Sequence, residues 1–165
     1  MKNLKTLLLI AVVALGINTV QAQSNVAHIN LGEIIKLMPE TKTMQAELEK
    51  LSKTYEDELK EKDVALKALT DRYTAEAPNQ TDEENAKRAQ EIQQEDYKIK
   101  MGYQIAEQDV NKKGNDMMEP IILKARQAVT DVAKEMNFQY VLDATSLIVA
   151  EGTDISIMVK TKLGL

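Results

Sequence analysis

Two long runs of residues, each striped with apolar side chains at helical spacing, meet at the short break Ala77-Pro78-Asn79-Gln80-Thr81. The first run places Met44, Leu48, Leu51, Tyr55, Leu59, Leu66, Leu69 and Tyr73 at steps of three and four, with one gap at position 62. The second places Ala86, Ala89, Ile92, Ile99, Tyr103, Ala106 and Val110 in the same way, with a gap around position 96. That period belongs to the seam of a coiled coil and is incompatible with a strand. Pro and Asn at the break supply turn geometry, and Thr81 or Asp82 can cap the second run with Glu84 close by. The chain is therefore built around a helical hairpin.

Antiparallel helices of equal rise keep a constant sum of facing residue numbers, here about 158 if the fold is centred on the break. This register predicts a seam of Leu48, Leu51, Tyr55, Leu59, Leu66 and Leu69 against Ile92, Ile99, Tyr103 and Val110. It also brings Lys62 level with Asp96, the residues that interrupt the two stripes. An opposite-charge pair in a seam specifies register at some cost in stability.

Only 4% of the residues are aromatic and 28% are charged, a composition suited to helices that bury one stripe each. The formal net charge of −5 argues against nucleic acid as a partner. Cysteine is absent, which removes disulfides and thiolate metal sites. There is one histidine, no Gly-rich phosphate loop and no H-E-x-x-H or G-x-S-x-G pattern, so neither an enzyme, a cofactor, a metal nor a small-molecule substrate is expected.

Lys2 and Lys5 precede an apolar stretch from Leu7 to Ile17, and Val20-Gln21-Ala22 is a small-x-small site. Residues 1–22 read as a secretory signal peptide cleaved after Ala22, so the mature protein is expected to be exported. Val26-Ala27-His28-Ile29 is strand-prone. Asn30 with Glu33 opens a short helix that Pro39 ends. Gly102, Gly114 and Pro120 interrupt the second run, and Pro120 is expected to kink or break it. Beyond it, Ile121, Ala125, Ala128, Val129 and Val132 form the wider apolar face of a buried helix. Phe138–Leu142 and Leu147–Ala150 read as strands, and Thr153 or Asp154 caps a final helix.

The expected fold is α+β and mostly helical. Segments 23–39 and 119–165 form a small β-rich body, and residues 40–118 form a hairpin arm inserted between its first two strands. Three short strands and a few helices make a marginal core, and oligomerisation is the usual remedy.

This layout resembles the Skp/OmpH family of periplasmic chaperones. The resemblance rests on V-A-H-I-N-L-G-E-I-I at 26–35, Met38-Pro39-Glu40, and the run from Val141-Leu142-Asp143-Ala144 through Asp154-Ile155-Ser156. It implies a homotrimer with Val26, Ile29, Val141, Leu142, Ile148 and Val149 in the trimerisation body. It also implies an ATP-independent holdase for unfolded outer-membrane β-barrel proteins. The best-known members are basic and this chain is acidic, so membrane-lipid binding is not carried over. Met101, Tyr97, Met117 and Met118 are the candidate client contacts, being flexible or amphipathic. The competing reading is an envelope adaptor that docks on a partner through its hairpin tip.

Overall fold

A computed structural model describes residues 25–165; the expected signal segment 1–22 lies outside them. Strand β1 (Val26–Ile29) leads into helix α1 (Leu31–Leu37), whose first turn is capped by Asn30 accepting from the Glu33 amide. Pro39 then begins α2, which runs unbroken to Glu76. Pro fits there because its missing N–H falls among the unpaired donors of a first turn. A 3₁₀ turn at Ala77–Asn79 reverses the chain, and Thr81 caps α3 through the Glu84 amide. Helix α3 spans Asp82–Glu135, 54 residues.

Pro120 does not break α3. The helix ends instead at a Schellman motif: Asn137 takes a left-handed φ of 58°, while the Asn137 and Phe138 amides donate back to Lys134 and Ala133. That turn delivers the chain into β2 (Tyr140–Asp143) alongside β1. Strand β3 (Thr153–Asp154) pairs on the other side of β1, and α4 (Ser156–Leu163) closes the body. The sheet has the order β2-β1-β3 and is parallel throughout. The third strand is thus Thr153–Asp154, and the expected strand Leu147–Ala150 is irregular. Both edges of β1 are already occupied, and among the described residues no strand pairs with those four.

The body core packs Ala27, Ile29 and Ile34 against Ala128, Val132, Ile155 and Val159. A second cluster, Met38, Met44, Ile121 and Ala125, sits where the arm leaves the body. His28, in the central strand, shares a polar contact of 3.2 Å between Nε2 and the Gly152 carbonyl. It is a packed structural residue.

Candidate functional site

The arm is a narrow seam. Of the ten expected seam residues only Leu59 and Ile99 are buried; Leu48, Leu51, Tyr55, Leu66, Leu69, Ile92 and Val110 are half-buried, and Tyr103 is exposed. A missed element explains the difference. Gly102 and Gly114 are sockets on the seam, at spacing continuous with Ile99, Ala106 and Val110. A Cβ on Gly102 would stand 2.7 Å from Leu59 Cδ2, and one on Gly114 would stand 3.4 Å from Leu48 Cδ1. Read as interruptions of an apolar pattern, these glycines are in fact where the opposite leucines enter.

The register shifts accordingly. Leu48 lies opposite Gly114 and Leu59 opposite Gly102, so facing numbers sum to 162 and 161. The cross-helix hydrogen bonds shift in the same direction from 158: Tyr55 donates to Asp109 (2.8 Å), Tyr73 to Glu91 (2.7 Å) and Tyr103 to Asp63 (2.8 Å). The hairpin survives, and the expected register is corrected by about one helical turn of 3.6 residues. The Lys62–Asp96 pair is likewise corrected. Asp96 is bonded to Lys100 on its own helix at 2.6 Å, and Lys62 forms no ion pair among the described residues.

Each of the three tyrosine latches joins a phenol on one helix to a carboxylate on the other. The bond to the carboxylate raises the phenol pKa of Tyr55, Tyr73 and Tyr103, with partial desolvation adding to it, because ionised phenolate would face a like charge. At the tip, the Arg88 guanidinium lies 4.5 Å from the Tyr73 ring centroid and binds Glu76 at 2.9 Å and Glu84 at 3.3 Å. Asn85 donates to the Ala77 carbonyl at 3.1 Å. The turn is therefore tied to its own helices, while Pro78, Asn79, Gln80 and Thr81 remain exposed.

At the base, Pro39, Met44, Met117, Pro120 and Ile121 line an open groove of about 670 Å³ rimmed by Glu40, Asp116 and Lys124. Glu40 is ion-paired with Lys124, which holds its carboxyl below the usual range; its Oε2 is shielded and has no protein donor. A smaller groove of about 370 Å³ runs along the arm past Tyr55, Leu59 and Tyr103. Both are open troughs and neither encloses a ligand. Among the described residues no cluster of three His, Asp or Glu stands ready to hold a metal ion. No described helix is long and apolar enough to cross a membrane.

The candidate client residues divide. Tyr97 is exposed and Met101 half-buried on the arm, whereas Met117 and Met118 pack against the base cluster. The residues expected in a subunit interface divide as well. Ile29 belongs to the subunit's own core, with Val141 packed on it. Val26, Leu142, Ile148 and Val149 are exposed in the single chain, Ile148 completely.

Residues 25–163 match the family described as Outer membrane protein (OmpH-like), which covers most of the chain, and the protein belongs to that family. Among solved structures, it is similar to the crystal structure of a proposed outer membrane chaperone (OmpH-like) from Caulobacter crescentus. The TM-score is 0.77 at 15% sequence identity, covering 86% of this chain and 85% of that one. At that identity the likeness establishes the fold. No curated protein matches the sequence.

Proposed function

We propose that this protein is a periplasmic, ATP-independent holdase that binds unfolded outer-membrane β-barrel proteins, working as a homotrimer whose arms surround the client. The observation that carries the reading is the arm: a long, register-locked projection whose apolar surface lies in open grooves and exposed side chains. A holdase needs weak, adaptable contacts spread over several arms, held together by effective concentration. Family membership supports a chaperone role, and no enzymatic step is assigned to any residue. The trimer is supported by the body, where Leu142, Ile148 and Val149 would otherwise leave apolar surface in water and where β2 stands at an edge of the sheet.

The test is suppression of aggregation when a urea-unfolded outer-membrane β-barrel protein is diluted, without nucleotide or metal, alongside light scattering of the chaperone. Full protection by a species of three subunits is expected. Excising Tyr55 to Glu107 and rejoining α2 to α3 by a short turn should abolish protection and leave the trimer. A short-armed trimer that protects as well as the full one would remove the arms from the mechanism. Replacing Pro78 to Thr81 by an unrelated turn should leave protection intact. Loss of activity from that exchange alone would favour a tip-docking adaptor.

A further inference from the structure

Along α3, Gln90, Gln94, Tyr97, Met101, Ile105 and Gln108 recur at steps of four, three, four, four and three. These steps follow the 3.6-residue turn, so the six side chains form a straight stripe about 27 Å long. The stripe lies on the side of α3 away from the seam residues Ile99, Ala106 and Val110. None of its six members is charged, on an arm where residues 40–118 carry nineteen carboxylates and thirteen cations. Tyr97 is 64% and Ile105 57% exposed, unlike the large apolar residues that turn into the seam.

The hydroxyls tell the same story. Tyr55, Tyr73 and Tyr103 each spend theirs on a carboxylate across the hairpin, whereas Tyr97 has no hydrogen-bond partner among the described residues. The three glutamine amides, of Gln90, Gln94 and Gln108, also make no side-chain hydrogen bond there. Of the nearby charges, Lys98 is paired with Glu95 and Lys100 with Asp96, both at 2.6 Å. The surface is therefore neutral, apolar at its centre and rich in free amide donors and acceptors.

We propose that this stripe is the arm's docking track for an extended, uncharged polypeptide segment whose apolar side chains alternate with polar ones. The inference rests on the holdase reading and names the surface and client chemistry it uses. Tyr97, Met101 and Ile105 repeat every ~6 Å along the helix, and same-face side chains of an extended strand repeat every ~6.7 Å. A few apolar contacts can thus be made in step. The glutamine amides can meet backbone N–H and C=O groups of any sequence. A charged segment would lose hydration on this stripe and find no counter-ion.

The experiment uses the full mature chain and a labelled neutral peptide of about ten residues alternating leucine and serine, long enough to cover the stripe at ~3.4 Å per residue. Its comparison is a peptide alternating leucine and lysine. At high salt, where the acidic arm's general attraction for lysine is screened, fluorescence anisotropy should show binding of the neutral peptide and weaker binding of the charged one. The double variant Met101→Glu, Ile105→Glu should weaken the neutral peptide about tenfold. Tyr97→Ala should weaken it less, and Val64→Glu, at a 64% exposed site on α2, should leave it unchanged. Circular dichroism checks that helicity is retained. Equal loss in Val64→Glu, or none in the double variant, overturns the proposal. So does a change in subunit mass with no change in peptide binding, which would make the stripe an interface between copies. Retained protection of the unfolded β-barrel protein by the double variant would sink the track and spare the holdase. A wild-type protein without protection would end both.

Discussion

The arm and the body hold themselves together by different means. The body buries Ile34, Ile155 and Val159 almost completely and relies on shape-filling apolar contact. The arm buries little: Leu59, Ile99 and Ala106 are its only buried apolar residues between the base and the tip. There the register is set by glycine sockets and by phenol–carboxylate bonds at intervals along the hairpin. Apolar burial stabilises but is indifferent to a one-turn slip, since a heptad-like stripe nearly repeats itself. A leucine aimed at a glycine is not indifferent. A thin projection thus obtains definition from a few specific contacts, and the thicker body obtains it from packing density.

The largest test is in the body. Ile155→Ala should cost about 2–5 kcal/mol in urea unfolding, as expected when a buried aliphatic side chain leaves a cavity. Ile148→Ala should leave the unfolding of a single subunit nearly unchanged, because that side chain is fully exposed there. It should instead lower the mass seen by light scattering on dilution. Equal destabilisation of isolated subunits by both would erase the distinction between core and interface.

In the arm, Gly102→Ala opposes a helix-propensity gain of about 1 kcal/mol to overpacking of about 1–3 kcal/mol against Leu59. The net expectation is destabilisation. Gly114→Ala, with 3.4 Å to Leu48 Cδ1, should be neutral or stabilising by up to about 1 kcal/mol. Thermal melts followed by circular dichroism separate the two. If both glycines were merely interruptions of the helix with no leucine entering, equal gains from both would be seen.

Two pH responses are smaller. The raised phenol pKa values of Tyr55, Tyr73 and Tyr103 mean that their contribution is complete below pH 10.0, the ordinary tyrosine value. It is lost as pH rises through the folded values. Alkaline absorbance titration should show these phenols ionising late, and replacing all three by Phe should remove the alkaline loss of arm stability while lowering the melting temperature at neutral pH. Glu40 behaves oppositely. Its pKa is lowered by the Lys124 bond, so its contribution is present above pH 4.5 and disappears as pH falls through the folded value. Glu40→Gln should flatten that acid limb and leave the alkaline one untouched.

The smallest expected effect is that of salt on client binding. The acidic chain should lose little affinity for acidic clients, or gain some, as ionic strength screens their repulsion. A steep loss of affinity would mean that attraction between opposite charges dominates.

Much of this protein was legible in its residues. The three-and-four spacing around Ala77–Thr81 determined a helical hairpin, Asn30 and Thr81 marked two helix starts, and Pro39 marked the junction of α1 and α2. These are local matters, decided by backbone geometry within a turn or two. The exposed Gln–Tyr–Met–Ile stripe was only half legible: Tyr97 and Met101 stood out, but its straightness and its free hydroxyl depend on which face the seam takes.

Tertiary structure alone decided the register, because two periodic stripes fit each other at several offsets and the discriminating contacts join residues far apart in sequence. It decided that Gly102 and Gly114 receive leucines, that α3 continues through Pro120, and that Tyr103 reaches Asp63. It also decided that Thr153–Asp154, and not the more apolar Leu147–Ala150, pairs with β1. Strand propensity describes how well a residue suits a pleated surface, but a strand exists only where a free edge is within reach, and that is a property of the assembled chain.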